Sequence, residues 1–161
     1  MQDNPLFDLT GKTAVITGSS RGIGKAIAIR MAQYGAKIMV SSRKIDSCNK
    51  VVEEIKSNGG EAIAHECNIG HKEALQGLAD AAYKNFGKVD ILVLNAASNP
   101  YYGPLENITD EAFEKVMHNN VKSNLWLSNM ILPKMAEAGG GKVIVISSIA
   151  GIQGSSVLGA Y

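Results

Sequence analysis

Cysteine is nearly absent. Cys48 and Cys67 are the two in 161 residues, and their spacing suits neither a metal site nor a redox pair. A disulfide scaffold is thereby excluded, and a reducing, cytoplasmic setting is expected, with both thiols as buried apolar fillers. Long hydrophobic runs are missing too. No stretch approaches the roughly 18 apolar residues that a membrane helix needs. Residues Met1 to Leu9 have neither the basic region nor the apolar stretch of a signal peptide, so the first ten residues read as a flexible lead-in. No sign of charge dominates: 16 Lys plus Arg stand against 15 Asp plus Glu, a formal net charge of +1. Without a block of like charge, nucleic acid and anionic membrane surfaces are not expected partners. His65, His71 and His118 lack the spacing of a metal site or a catalytic triad, and no metal is expected.

Alternation of short apolar runs with amphipathic segments is what the chain does have. Strands are expected at Thr13–Thr17, Lys37–Ser41, Glu61–His65, Ile91–Leu94 and Val143–Ile146. Several are apolar at every position, as suits strands covered on both faces. Helices are expected over Gly24–Tyr34, Ser47–Asn58, Lys72–Phe86 and Asp110–Glu137. Gly35, Gly59 and Gly87 are their expected left-handed caps, and Thr109 an N-cap. This order predicts an α/β fold with a doubly wound parallel sheet, a Rossmann fold, and one unit over residues 1–161.

The first strand runs into Thr17-Gly18-Ser19-Ser20-Arg21-Gly22-Ile23-Gly24, a TGxxxGxG turn that opens a helix. Gly18 permits a tight turn, Gly22 lets backbone N–H groups approach a pyrophosphate, and Gly24 lets the helix close on the sheet. Ser20, Arg21 and Ile23 belong to the same expected phosphate site. After the second strand the chain reads Ser41-Ser42-Arg43-Lys44, where a carboxylate would accept from a free ribose 2′-OH. Cations there, with Arg21 on the same side, favour a 2′-phosphate, so NADP(H) is the expected cofactor, with Ser42 and Arg43 in contact.

The turn resembles that of the short-chain dehydrogenase/reductase family, and the resemblance extends along the whole chain. Asn95-Ala96-Ala97-Ser98 is similar to the family's NNAG-like segment, with Leu94 and Ser98 departing from its Asn and Gly. The resemblance implies that Asn95 and Ala96 border the cofactor ribose and that Asn68 takes the adenine contact the family usually gives to Asp. Asn119-Asn120-Val121-Lys122 is similar to the segment with the catalytic Asn, here Asn120, which in the family marks a helix break that holds a water. Ile146-Ser147-Ser148 resembles the end of the fifth strand, and Ser148 lies thirteen residues before Tyr161. The family's Ser binds the substrate carbonyl and its Tyr exchanges the proton.

A free phenol is ionised to only about one part in a thousand at neutral pH, and the family corrects this with a Lys four residues beyond the Tyr. Here that Lys would fall at 165, past the end of this sequence. The expectation is therefore a chain cut at the catalytic Tyr, its C-terminal strands missing. Such a chain leaves Trp126, Leu127, Met130 and Ile131 with half their partners and the fifth strand as a bare edge. The implied activity is hydride transfer between NADP(H) and a carbonyl or alcohol, in a parent enzyme that is a homodimer or homotetramer. The alternative is a non-catalytic nucleotide-binding fragment of such an enzyme. Asn99 to Leu105, with Tyr101 and Tyr102, is reminiscent of the family's NADPH-dependent carbonyl reductase branch, where the two rings either wall a substrate cleft or pack their own loop.

Overall fold

The computed structural model describes residues 7–161. Five parallel strands form one sheet in the order β3-β2-β1-β4-β5. They are β1 (Thr13–Thr17), β2 (Lys37–Ser42), β3 (Glu61–Glu66), β4 (Ile91–Leu94) and β5 (Lys142–Val145). Between them run α1 (Gly22–Gln33), α2 (Ile45–Ser57), α3 (Lys72–Phe86), α4 (Asp110–Met117) and α5 (Ser123–Glu137). The strand order reverses between β1 and β4, where ligands bind in open sheets of this kind.

Continuous apolar strands are explained by two cores, one on each face. Ala14, Ile16, Ile38, Val40 and Val93 point to one face and meet Ala28 of α1 and Val51 and Ile55 of α2. Val15, Met39, Leu92 and Leu94 point to the other and meet Leu75 and Leu78 of α3 and Leu127, Ile131 and Met135 of α5. Successive strand side chains alternate in direction, so covering both faces demands an apolar residue at every position.

Cys48 and Cys67 are both free and buried, one in each core. The cap glycines Gly35, Gly59 and Gly87 all take positive φ. Thr109 Oγ1 accepts from the Ala112 amide at 3.3 Å, as an N-cap should. The lead-in is anchored from its second half, since the Leu9 amide donates to the Tyr34 carbonyl at 2.8 Å. Its residues 1–6 lie outside the described ones.

Two expectations need correction. The segment Asp110–Glu137 is not one α-helix, because a π turn at His118–Lys122 separates α4 from α5. There the Ser123 amide reaches back five residues to the His118 carbonyl. Side chains reinforce the turn: Ser123 Oγ donates to the Asn119 carbonyl at 2.6 Å and Asn124 Nδ2 to the Asn120 carbonyl at 2.8 Å. Second, Leu127 and Ile131 are not half-partnered but fully buried. They pack with Leu75, Leu78 and Ala82 of α3, a neighbour within this chain. Strand β5 does form an edge: all four of its residues are exposed.

Candidate functional site: a cationic cleft at the switch point

The site starts from β1. Its last residue, Thr17, is buried, and its hydroxyl accepts from the amides of Asn95 and Ala96, both at 3.0 Å. One side chain thereby ties the ends of β1 and β4 together. Ser19, fully buried, locks the turn to β2: its Oγ donates to the Ile16 carbonyl at 2.8 Å and accepts from the Ser41 amide at 2.9 Å. Asn95 Nδ2 closes the ring by donating to the carbonyls of Thr17 at 2.9 Å and Gly18 at 3.2 Å.

This clasp explains the glycines. A Cβ on Gly24 would lie 2.5 Å from both Asn95 Nδ2 and the Gly18 carbonyl oxygen, and one on Gly18 about 3.0 Å from Ala96 Cα. Around Gly22, by contrast, a Cβ would meet nothing within 4 Å. Gly24 and Gly18 are thus packing glycines, while Gly22 faces the open cleft. Arg21 is the N-cap of α1 but makes no side-chain capping bond, and no acidic residue stands in the first turn. The N–H groups that begin α1 are left for an anion.

The cleft has a volume of about 640 Å³. Gly18, Ser20, Arg21, Gly22, Ile23, Gly24, Ser42, Arg43, Asn68, Asn95 and Ala96, expected from the sequence, all line it. Lys44, Ser47, Cys67, Ala97, Ser98, Lys115 and Asn119 line it as well. Arg21, Arg43, Lys44 and Lys115 put four cations around the cleft, and no Asp or Glu is among its described lining residues. Asn68 Oδ1 accepts from the Gly70 amide at 3.1 Å, which fixes the loop after β3. Ser42 Oγ shares a hydrogen bond with Cys48 Sγ at 3.1 Å. Cys67, which the Ser42 carbonyl holds by its amide at 2.9 Å, has its thiol pushed up to about 11 by burial first and by Cys48 second.

Asn120, Ser148 and Tyr161 do not line this cleft. Asn120 staples the loop after β4: its Oδ1 accepts from the Ser98 amide at 2.8 Å and its Nδ2 donates to the Ser98 carbonyl at 2.9 Å. Ser148 Oγ accepts from the Ala150 amide at 3.2 Å at the start of a single 3₁₀ turn, Ile149–Gly151. Tyr161 lies beside Tyr101, Leu105 and Asn99 in a narrow crevice. No hydrogen bond among the described residues joins Asn120, Ser148 and Tyr161 to one another. Tyr101 packs its own loop, its hydroxyl donating to the Pro104 carbonyl at 2.8 Å, whereas Tyr102 is 75% exposed.

Lys115 and Asn119 were not expected from the sequence. They stand four residues apart across α4 and the π turn, a spacing that brings two side chains to one helix face. That spacing is the signal by which they could have been found.

A cationic cleft at the reversal of a parallel sheet, with a TGxxxGxG turn at its base, defines the class. The chain belongs to the short-chain dehydrogenase family, whose pattern matches residues 12–161. It is 38% identical over 153 residues to dehydrogenase/reductase SDR family member 4 of Oryctolagus cuniculus, covering 95% of this chain and 59% of that one. It is 42% identical over 145 residues to 7alpha-hydroxysteroid dehydrogenase of Escherichia coli K12, covering 88% of this chain and 55% of that one. Among solved structures it superposes on a 7 alpha-hydroxysteroid dehydrogenase complexed with NADH and 7-oxo glycochenodeoxycholic acid, with a TM-score of 0.94 and 38% identity, covering 100% of this chain and 62% of that one. It also matches a metagenomic short-chain oxidoreductase in complex with NADP, with a TM-score of 0.87 and 34% identity, covering 92% and 67%. The chain thus spans 59% and 55% of the length of these two curated relatives. No helix among the described residues is long and apolar enough to cross a membrane.

Proposed function

We propose that the chain, as one dinucleotide-binding unit, serves an oxidoreductase that moves a hydride between NADP(H) and a small carbonyl or alcohol substrate. The observation that carries this reading is the cleft lined by four cations, with no carboxylate among its described lining residues. Its base fits a dinucleotide, because Gly22 faces the open cleft and a Cβ there would meet nothing within 4 Å. Arg21 and Arg43 would hold a 2′-phosphate, each charge-assisted bond contributing roughly 1.5–3 kcal/mol. Gly22, Ile23, Ser20 and the first N–H groups of α1 would hold the pyrophosphate. Asn68 would border the adenine, and Ala96 the ribose. Asn95 would act indirectly, by keeping the turn closed.

The bound cofactor would supply or accept the hydride at the substrate carbon. In carbonyl reduction the Ser148 hydroxyl would hydrogen-bond the substrate oxygen and the Tyr161 phenol would give it a proton; in alcohol oxidation the proton returns to Tyr161. Asn120 would keep the helix break in place beside them. A reducing cytoplasm suits the two buried thiols, and the parent enzyme is taken to be a homo-oligomer, as the family resemblance implies.

NADPH and NADH titrated against the wild type and Arg43→Ala test the cofactor. The wild type is expected to favour NADPH by roughly tenfold or more and the variant to lose most of that preference. Equal affinity of the wild type for both would sink the reading. The second reading, a nucleotide-binding fragment without turnover, draws on the lack of any hydrogen bond among Asn120, Ser148 and Tyr161. It predicts cofactor binding but no NADPH oxidation with a small dicarbonyl, and turnover of roughly 1 s⁻¹ would refute it.

A further inference from the structure

Residues 147–161 lead to Tyr161 with no strand or α-helix, only the single 3₁₀ turn at Ile149–Gly151. A side chain at the end of such a segment is placed by what the segment touches. Among the described residues, one hydrogen bond ties it to the rest of the chain: the Gly103 amide, in the loop after β4, donates to the Val157 carbonyl at 3.0 Å.

Two glycines stand at this junction, and backbone conformation asks for neither, because positive φ is confined to other glycines. Close approach asks for both. A Cβ on Gly159 would lie 3.2 Å from Leu105 Cβ and 3.3 Å from its Cδ2. One on Gly103 would lie 2.6 Å from Tyr101 Oη and 2.9 Å from its Cζ. The Tyr101 hydroxyl donates to the Pro104 carbonyl at 2.8 Å, which holds that ring over Gly103. Gly159 in turn belongs to the tight turn that ends on Tyr161, whose amide donates to the Leu158 carbonyl at 3.1 Å. Tyr101, Leu105 and Tyr161 line one narrow crevice.

We propose that Gly103 and Leu105 are positioning residues for Tyr161: the loop after β4, braced by Tyr101, sets where the phenol stands by holding the backbone of Val157 and Gly159. The proposal rests on the hydride-transfer reading, which gives Tyr161 the proton. Reacting groups misplaced by about 1 Å can lose roughly a hundredfold in rate, so a contact of this kind controls proton exchange without touching the proton. None of these residues lines the cationic cleft, so cofactor affinity is independent of them.

The test labels the five tyrosines of the 161-residue chain with ¹³C at the phenol carbon, and Tyr161→Phe identifies the Tyr161 line. Gly159→Ala and Gly103→Ala are each expected to shift that line, while the Tyr34 and Tyr83 lines and NADPH affinity stay as in the wild type. Gly154→Ala, on the same segment but with nothing within 4 Å of its new Cβ, should leave the line in place. Leu105→Ala added to Gly159→Ala makes room for the new methyl group and should return the line toward its wild-type position, which a general loosening of the segment would not do. A Tyr161 line unmoved in folded Gly159→Ala overturns the proposal. So does an equal shift in Gly154→Ala, or a shift that Leu105→Ala leaves uncorrected. With NADPH still bound, those outcomes leave the hydride-transfer reading standing. Failure of the wild type to bind NADPH defeats that reading itself, and the role of Tyr161 with it.

Discussion

Strands β1 and β5 are both short and aliphatic, and both lie in the same parallel sheet, yet their surroundings are opposite. Every residue of β1 is buried, with Val15 at 0% exposure, while every residue of β5 is exposed, with Val145 at 57%. The difference is one of neighbours. β1 has a strand on each side and a helical layer on each face, whereas β5 pairs only with β4. An aliphatic run states what a strand can be covered by; only the rest of the fold decides whether it is. The cationic cleft grows from the covered half, where side chains and glycines are crowded into one arrangement. Ser148 and Tyr161 follow the bare half.

The largest expected effect lies in the covered half. Gly24→Ala should destabilise the chain by roughly 1–3 kcal/mol, since the turn must open around the new methyl group. It should also weaken dinucleotide binding by more than about tenfold. Gly22→Ala meets no neighbour, so its cost is the positive φ alone, about 1–2 kcal/mol. Urea unfolding and NADPH titration separate the two, and equal loss of binding in both variants would show that crowding does not shape the turn.

Next comes the bare half. Exposed aliphatic edges recruit other chains, so the chain should self-associate, and Val145→Lys should suppress that association while changing stability by only about 0.5 kcal/mol. Sedimentation at several concentrations decides the matter; a wild type that stays monomeric throughout would remove β5 as the cause.

A smaller effect concerns the thiols. With the Cys67 thiol pushed up to about 11, only about one molecule in ten thousand carries its thiolate at neutral pH. Alkylation by iodoacetamide should therefore wait for unfolding. Rapid labelling of the folded chain would show that the β3 side of the cleft opens readily.

The smallest effect belongs to His65 on β3, the opposite sheet edge, where burial first, against a weaker pull from Glu66, holds the imidazole below its ordinary 6.5. The folded chain prefers the neutral ring, so this contribution is complete above 6.5 and is lost as pH falls through the folded value. His65→Gln should show less acid-side loss of the urea midpoint than wild type. Identical profiles would mean the ring is as free in the fold as in the unfolded chain.

Much of this was legible in the sequence because it is local. Strand type follows from residues two apart, the phosphate turn from glycines within a few positions, and the cap at Thr109 from the three residues after it. Three things were not. The burial of Leu127 and Ile131 depends on α3, some fifty residues earlier. The roles of Ser19 and Asn95 as clasps depend on backbone groups of other elements. The contact of Gly159 with Leu105 joins two loops that no local pattern links.

Ser98 belongs to no helix or strand, yet its amide and its carbonyl are both held by the side chain of Asn120, and its hydroxyl by Asn119. Solvent deuterium should therefore reach the Ser98 amide slowly, on the schedule of the π turn rather than that of a surface loop. The segment after β4 and the helix break beside it would then open together or not at all, so the rate at one amide reports the motion of the whole joint between the cationic cleft and α5.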